Sequence, residues 1–198
     1  MAIVGCSYVK GGIYNNNNGT VTYSNQAVIA KLVRMQLSLD DSQDNDFYAD
    51  NAVDETDSQF AGGTYEINTN DLTDEMSALI LGLQTNTITS MTGVTDVGVK
   101  EIIFDDRQNT PYMGIGNVVK HKRDGTIYYR AIVLTKIQFR IPEESWDTQG
   151  KTISWQTPTV RGTVMRDDTT YHAWKYAATF STEAQAIAYI DARLPSAA

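Results

Sequence analysis

Ile127-Tyr-Tyr-Arg-Ala-Ile-Val-Leu-Thr-Lys-Ile-Gln-Phe-Arg-Ile141 alternates for about 15 residues. Tyr129, Ala131, Val133, Thr135, Ile137, Phe139 and Ile141 fall on one side, and Arg130, Ile132, Leu134, Lys136, Gln138 and Arg140 on the other. A period of two is the mark of a β-strand. Pro142 has no N–H to give to a ladder and stops it. Just upstream, Asp124-Gly125 is the pair expected of a two-residue hairpin turn, with a partner strand over Pro111–Val119. At about 3.3 Å per residue the long strand would span about 50 Å. That is long for a 22.0 kDa chain and suits a sheet shared between copies.

Outward from this hairpin the pattern stays β-rich. The 23 Thr and 11 Tyr suit a half-buried pleated surface. Between Ala30 and Asp40, Lys31, Val33, Met35, Leu37 and Leu39 share one face, and Leu32, Arg34, Gln36, Ser38 and Asp40 the other. Gly63–Asn70 repeats the pattern, with Tyr65 and Ile67 opposite Thr64, Glu66, Asn68 and Asn70. Lys151–Val164 reads as another strand, carrying Trp155 and Val160. The first 30 residues read as short strands broken by turns, with Asn15–Gly19 as a loop. Two helices are expected. The first covers 71–82, with Asp71, Asp74 and Glu75 at its positive end and a stripe of Leu72, Met76, Leu79, Ile80 and Leu83 for packing. The second covers 182–194 and opens on the capping box Thr182-Glu183-Ala184-Gln185. Residues 41–62 form a long arm with seven acidic residues up to Asp57, no Lys or Arg, and the apolar Phe47, Tyr48, Val53 and Phe60. The division expected is a β domain over 1–165, including this arm, and a C-terminal extension over 166–198.

Charge and motifs narrow the function. Sixteen Lys and Arg against 24 Asp and Glu leave −8, the wrong sign for a protein that reads nucleic acid with its whole surface. No apolar run approaches a membrane span, and the start has no export-signal pattern, so no membrane partner is expected and assembly belongs in a reducing cytoplasm. The lone Cys6 excludes an internal disulfide. No phosphate loop, G-x-S-x-G elbow or H-E-x-x-H is present, and of the two histidines, His121 and His172, the first sits in a basic hairpin tip with no nucleophile near it in sequence. Cys6 with a histidine would make a dyad on paper, against the plainer reading of an inert thiol. Asp40–Asp46 has the alternating oxygens of a calcium loop, but Asn45 and Asn51 stand where the EF-hand needs Gly and Glu. The expectation is a non-enzyme with no cofactor and no metal.

Tyr48-Ala-Asp-Asn-Ala-Val-Asp-Glu55 resembles the Tyr-Ala-Asp-Asn-x-Val-x-Glu segment of major tail proteins from long-tailed, non-contractile (siphovirus-type) phages of Gram-positive bacteria. The order of later features is similar too: Gly63–Leu72 leading to a helix ending Leu79-Ile80-Leu81-Gly82, then Pro111–Gly116, Tyr128–Ala131 and Ile153–Pro158. The likeness covers most of residues 5–165 and excludes the four asparagines and the last 30 residues. It implies a β-sandwich or barrel with one flanking helix, similar to the type VI secretion tube protein. It further implies hexameric rings stacked into a virion tail tube that conducts DNA into the host. The implied partners are the protein itself and the tape measure, tail terminator and distal tail proteins, with DNA passing through unbound.

Under that resemblance, residue roles follow from charge. A tube for DNA must not hold phosphate, and six copies would carry about −48, six times the −8 of one chain. Gln36, Ser38, Glu66, Asn68 and Asn70 are the candidates for the lumen; the alternative is plain outer surface. The arm residues Phe47, Tyr48, Asp50, Asn51, Val53 and Glu55 are candidates for docking on a neighbour, with the basic hairpin tip Lys120, His121, Lys122 and Arg123 as acceptor. Met76, Leu79, Ile80 and Leu83 are assigned to helix packing. The competing readings are another virion component, either a tail terminator or a capsid decoration protein, a carbohydrate-binding β-sandwich using Trp146, Trp155 and Trp174, and, more remotely, a hydrolase.

Overall fold

The computed structural model describes residues 2–40, 45–49, 52–57, 60–106, 108–142, 148 and 157–196. The chain is mainly β. Its strands are β1 (Ala2–Asn17), β2 (Thr20–Ala30), β3 (Leu32–Leu39), β4 (Asn45–Ala49), β5 (Ala52–Asp57), β6 (Gly63–Thr69), β7 (Gln84–Ile88), β8 (Val99–Ile103), β9 (Tyr112–Arg123), β10 (Thr126–Phe139), β11 (Thr159–Met165) and β12 (Lys175–Phe180). The helices are α1 (Asp74–Leu81) and α2 (Glu183–Arg193). Eight strands make one antiparallel sheet in the order β2-β1-β9-β10-β11-β6-β3, with β12 also on β10. The pairs β4–β5 and β7–β8 are separate hairpins.

The sheet curls. Val9 and Ile29 near one end of the path share a core with Met35, Tyr65 and Ile67 near the other. Tyr65 Oη on β6 donates to Asn117 Oδ1 on β9 at 3.4 Å, although two strands lie between them in the sheet order. α1 closes this core with Ala78, Ile80 and Leu81. Thr73 caps its N-terminus, and Gly82, at φ 66°, ends it in the left-handed conformation that glycine adopts without strain. The helix is shorter at its start than the expected 71–82, because the capping hydroxyl belongs to Thr73 rather than to the acidic run at Asp71.

A second core lies on the opposite face of β9 and β10, under α2. Gly114 and Gly116 leave room for it. A Cβ on Gly116 would stand 2.2 Å from Ile190 Cγ2, and one on Gly114 would stand 2.2 Å from Tyr23 Cε1. β12 joins the same sheet and sends Tyr176 and Phe180 into this second core, so the residues beyond 165 are continuous with the body. The capping box is half made: Gln185 N–H reaches Thr182 Oγ1, while the Gln185 side chain accepts from Ser181 Oγ.

Four sequence expectations change. The N-terminal region is one long hairpin, 16 and 11 residues, rather than short strands. Asn15–Asn17 continue β1, and only Asn18 and Gly19 turn, both at positive φ as a tight hairpin requires. The arm carries a hairpin, β4–β5, where a long loop was expected. β10 alternates as read, but one extra residue between Leu134 and Ile137 moves its later side chains to the other face. Ala131 and Val133 therefore lie under α2, while Ile137 and Phe139 face the α1 core. The bulge's backbone is fully used: Thr135 N–H donates to Trp174 O, and its carbonyl accepts from Tyr23 Oη at 2.9 Å.

Candidate functional site

Strands β3, β6 and β11 lie side by side, with Leu32, Met35, Leu37, Tyr65, Ile67, Val160 and Val164 in the α1 core and the polar rows outward. Register places Arg34 by Asn68 by Thr159, Gln36 by Glu66 by Arg161, and Ser38 by Thr64 by Thr163. These rows are linked by side chains. Arg34 Nη2 donates to Gln36 Oε1 at 2.7 Å, and Gln36 Nε2 to Ser38 Oγ at 3.2 Å. Asn68 Nδ2 donates to Thr159 Oγ1, and Arg161 Nε to Glu66 Oε2 at 2.7 Å. Arg140 follows β10 and reaches Thr163 Oγ1 at 3.2 Å, and its N–H bonds Arg161 O. Thr64, Glu66, Arg140, Arg161 and Thr163 border a shallow concavity of about 420 Å³.

Four of the five lumen candidates, Gln36, Ser38, Glu66 and Asn68, thus share one outer face. Asn70 lies past the end of β6, where its Oδ1 accepts from Lys31 N–H and its own N–H donates to Lys31 O. Its job is to close the β2–β3 corner. The face also holds residues that were not singled out as candidates, Arg140 and Arg161. Alternation marks Arg161 as outward with Thr159 and Thr163, whereas Arg140 alternates with the buried Leu134 and is turned outward only by the bulge, and neither pattern says that the strands are neighbours. Three arginines against Glu66 give the three facing rows and Arg140 a positive excess, where alternation within β3 and β6 offered only Arg34 and Glu66 among neutral groups.

The basic tip is smaller than its sequence suggests. His121 is buried, because β1 extends alongside β9 and places Ile3 on one side of it and Tyr128 on the other. Neither ring nitrogen has a hydrogen-bond partner. Burial, then the Arg130 charge, push its pKa down, which favours the neutral ring. Lys122 and Arg123 are exposed, and Arg123 Nε lies 3.8 Å from Asp124 Oδ2. Ile80 in α1 and Leu83 just past its Gly82 cap are buried, and Leu79 packs beside them. Met76 is half-buried outside that cluster, and Ala78 and Leu81 take the buried places the stripe did not include. The backbone of the arm residues Phe47, Tyr48, Val53 and Glu55 lies in β4 and β5, with Phe47 opposite Glu55 and Tyr48 opposite Val53. Asp50 and Asn51, most of the calcium-like run, and Trp146 and Trp155 lie outside the described residues. Trp174 stacks on Phe60 with ring centroids 4.4 Å apart, so that indole is half-buried rather than an open sugar platform.

A further polar cluster joins distant segments. Lys136 Nζ bonds Asp168 Oδ2 at 2.8 Å and lies over the rings of Tyr14 and Tyr112. Tyr14 Oη donates to the same carboxylate at 2.9 Å and accepts from Asp168 N–H. Burial pushes the Tyr14 phenol up to about 12, so it stays protonated and acts as a donor. The Lys136 ammonium holds the Asp168 carboxyl below its ordinary value. Every group here is satisfied by another, which is the arrangement of a clamp between β1, β10 and the loop before β12. Among the described residues no group of three or more His, Cys, Asp or Glu converges to hold a metal ion. The chain matches no protein-family model, and no curated protein matches it.

Proposed function

We propose that the chain is a structural subunit that associates with copies of itself, as a tail-tube protein of a long-tailed phage does. The observation that carries this is where the apolar surface lies. Among the described residues β2 and β3 end the sheet path, and Ala2–Ser7 of β1 ladders with β9 alone, with Cys6 hydrogen-bonded to the Met35 backbone of β3. Ile3 (71% exposed) and Val4 lie on that stretch, Val28 on β2, and Val33 (54% exposed) and Leu39 on β3. A protein that stays solitary blunts such strands with charge or proline. Here they carry branched apolar side chains, which suits completion by a neighbour. The ordered set of tail-protein-like segments supplies the kind of assembly: hexameric rings stacked as a conduit in the virion, built in the host cytoplasm. A heterologous head-to-tail joint makes such rings.

In this reading Gln36, Ser38, Glu66 and Asn68 face the channel. The arm, with Phe47, Tyr48 and Val53 as apolar anchors, reaches a neighbouring copy, and Lys122 carries most of the exposed charge left at the hairpin tip. Tape measure, tail terminator and distal tail proteins would meet the ends of the tube. Negative-stain electron microscopy of concentrated purified protein tests this. Rings or tubes are expected; discrete single particles at every concentration and salt would refute it.

A further inference from the structure

We propose that the outer face of β3, β6 and β11, with Arg140 beside it, is a contact surface for the phosphate backbone of duplex DNA. This rests on the conduit reading and changes what the conduit's wall does: it touches its cargo weakly instead of only repelling it. The side chains that define the face are guanidinium, amide and hydroxyl groups. Among the described residues Arg34 and Arg140 meet only neutral partners, Gln36 and Thr163, so there the charge of each is open to an anion. Arg161 is engaged with Glu66 and adds positive charge behind them. Strand spacing of about 4.8 Å and a two-residue rise of about 6.6 Å spread these groups along a strip rather than around a point. A strip of donors suits a repeating polyanion, and guanidinium matches phosphate geometry.

The composition of the face selects the partner. Its facing rows from Arg34 to Ser38, from Thr64 to Asn68 and from Thr159 to Thr163 contain no aromatic ring on which an unpaired base could stack. No helix stands on it to enter a groove, so base edges go unread and contact is sequence-independent. An acidic protein segment would need several apolar anchors to dock, and the concavity's lining offers two apolar side chains, Ile141 and Pro142. The remainder of the chain is acidic enough to bring the total to −8, which keeps the contact weak and reversible.

The test uses the full chain, the R34Q/R140Q variant and a short fluorescein-labelled duplex of random sequence, read by co-sedimentation and anisotropy. Both arginines are exposed and neither is paired to a carboxylate among the described residues, so the variant should keep the wild-type circular dichroism and melting. Losing two phosphate contacts lowers the salt slope by about 1.8, so raising salt from about 50 to 200 mM should cost wild type about twelvefold more affinity than the variant. Glu66→Gln should tighten binding. Equal salt dependence in wild type and variant overturns the proposal, as does poly-glutamate competing as well as duplex at matched charge. Micrographs of the same samples separate this from the assembly reading. Arginine-dependent duplex binding without rings upholds the contact face and removes the conduit. Rings without such binding remove the contact face alone.

Discussion

Substituting Gly116 with alanine puts a methyl group where Ile190 of α2 already is. The new Cβ would stand 2.2 Å from Ile190 Cγ2 and 3.2 Å from its Cβ and Cγ1. Gly116 has an ordinary negative-φ strand conformation, so alanine is conformationally allowed and gains about 0.4–1 kcal/mol by restricting the unfolded chain. Overpacking a closed site costs about 1–3 kcal/mol. The net change is a loss of up to about 2.6 kcal/mol. Ile190→Ala alone empties a fully buried position and should cost about 2–5 kcal/mol. In the double variant the Gly116→Ala methyl enters space that Ile190 vacated. The two losses should therefore fall short of additivity by at least about 1 kcal/mol, within the usual coupling of touching residues. Equilibrium urea unfolding of the four proteins gives the cycle, with the midpoint shifting at constant m-value. Thermal midpoints should move about 2–4 °C per kcal/mol for a chain of this size. Additive losses would refute the account of α2 seated in a glycine groove on β9.

His121 gives a pH test: its folded pKa is depressed, so its stabilisation is complete above the ordinary histidine value of about 6.5 and is lost as pH falls from there through the folded value. His121→Leu should flatten that part of the stability–pH curve, and an unchanged slope would show that the ring is not buried as a neutral group. Deleting residues 42–56 should leave a folded protein by circular dichroism that no longer polymerises; tubes still forming would exclude the arm as the joint. In the tail-tube setting, substituting Glu66 and Asn68 with lysine should impair DNA delivery while assembly persists, and normal infectivity would remove this face from the channel.

The strands were legible because their chemistry is local. Asp124-Gly125 predicts a two-residue hairpin turn, and both residues sit at positive φ between β9 and β10. Gly82 marks the end of α1 in the sequence and caps it in the fold, while the apolar spacing from Leu72 to Leu83 placed the helix to within three residues of its start at Asp74. Phase was not legible. The face change after Leu134 needs one extra residue, and both sides of β10 offer apolar side chains to either core, so no pattern flags the slip. Val33 shows the same limit. The register shift between Leu32 and Arg34 turns Leu32 inward against the core and leaves Val33 exposed, the reverse of the simple alternation. His121 looked exposed because the stretch around it is basic; its burial comes from β1, more than 110 residues earlier in the chain.

Long-range pairing also decided the character of the polar face. Gln36, Ser38, Glu66 and Asn68 were visible from alternation within their own strands, and Arg34 stood in the same row as Gln36. What converted a neutral lining into a basic one was β11, which pairs with β6 and brings Arg161 beside Glu66, and then Arg140, whose backbone N–H is tied to Arg161. A net charge of −8 is a sum over the whole chain, and it predicts the sign of the field only at distances comparable to the molecule. Within a Debye length of about 8 Å at physiological salt, the local excess of two positive charges on this face outweighs the distant acidic residues. A channel lined in this way would hold its cargo to the wall at short range and refuse to condense it at long range. That combination follows from where β11 pairs, not from the composition of the chain.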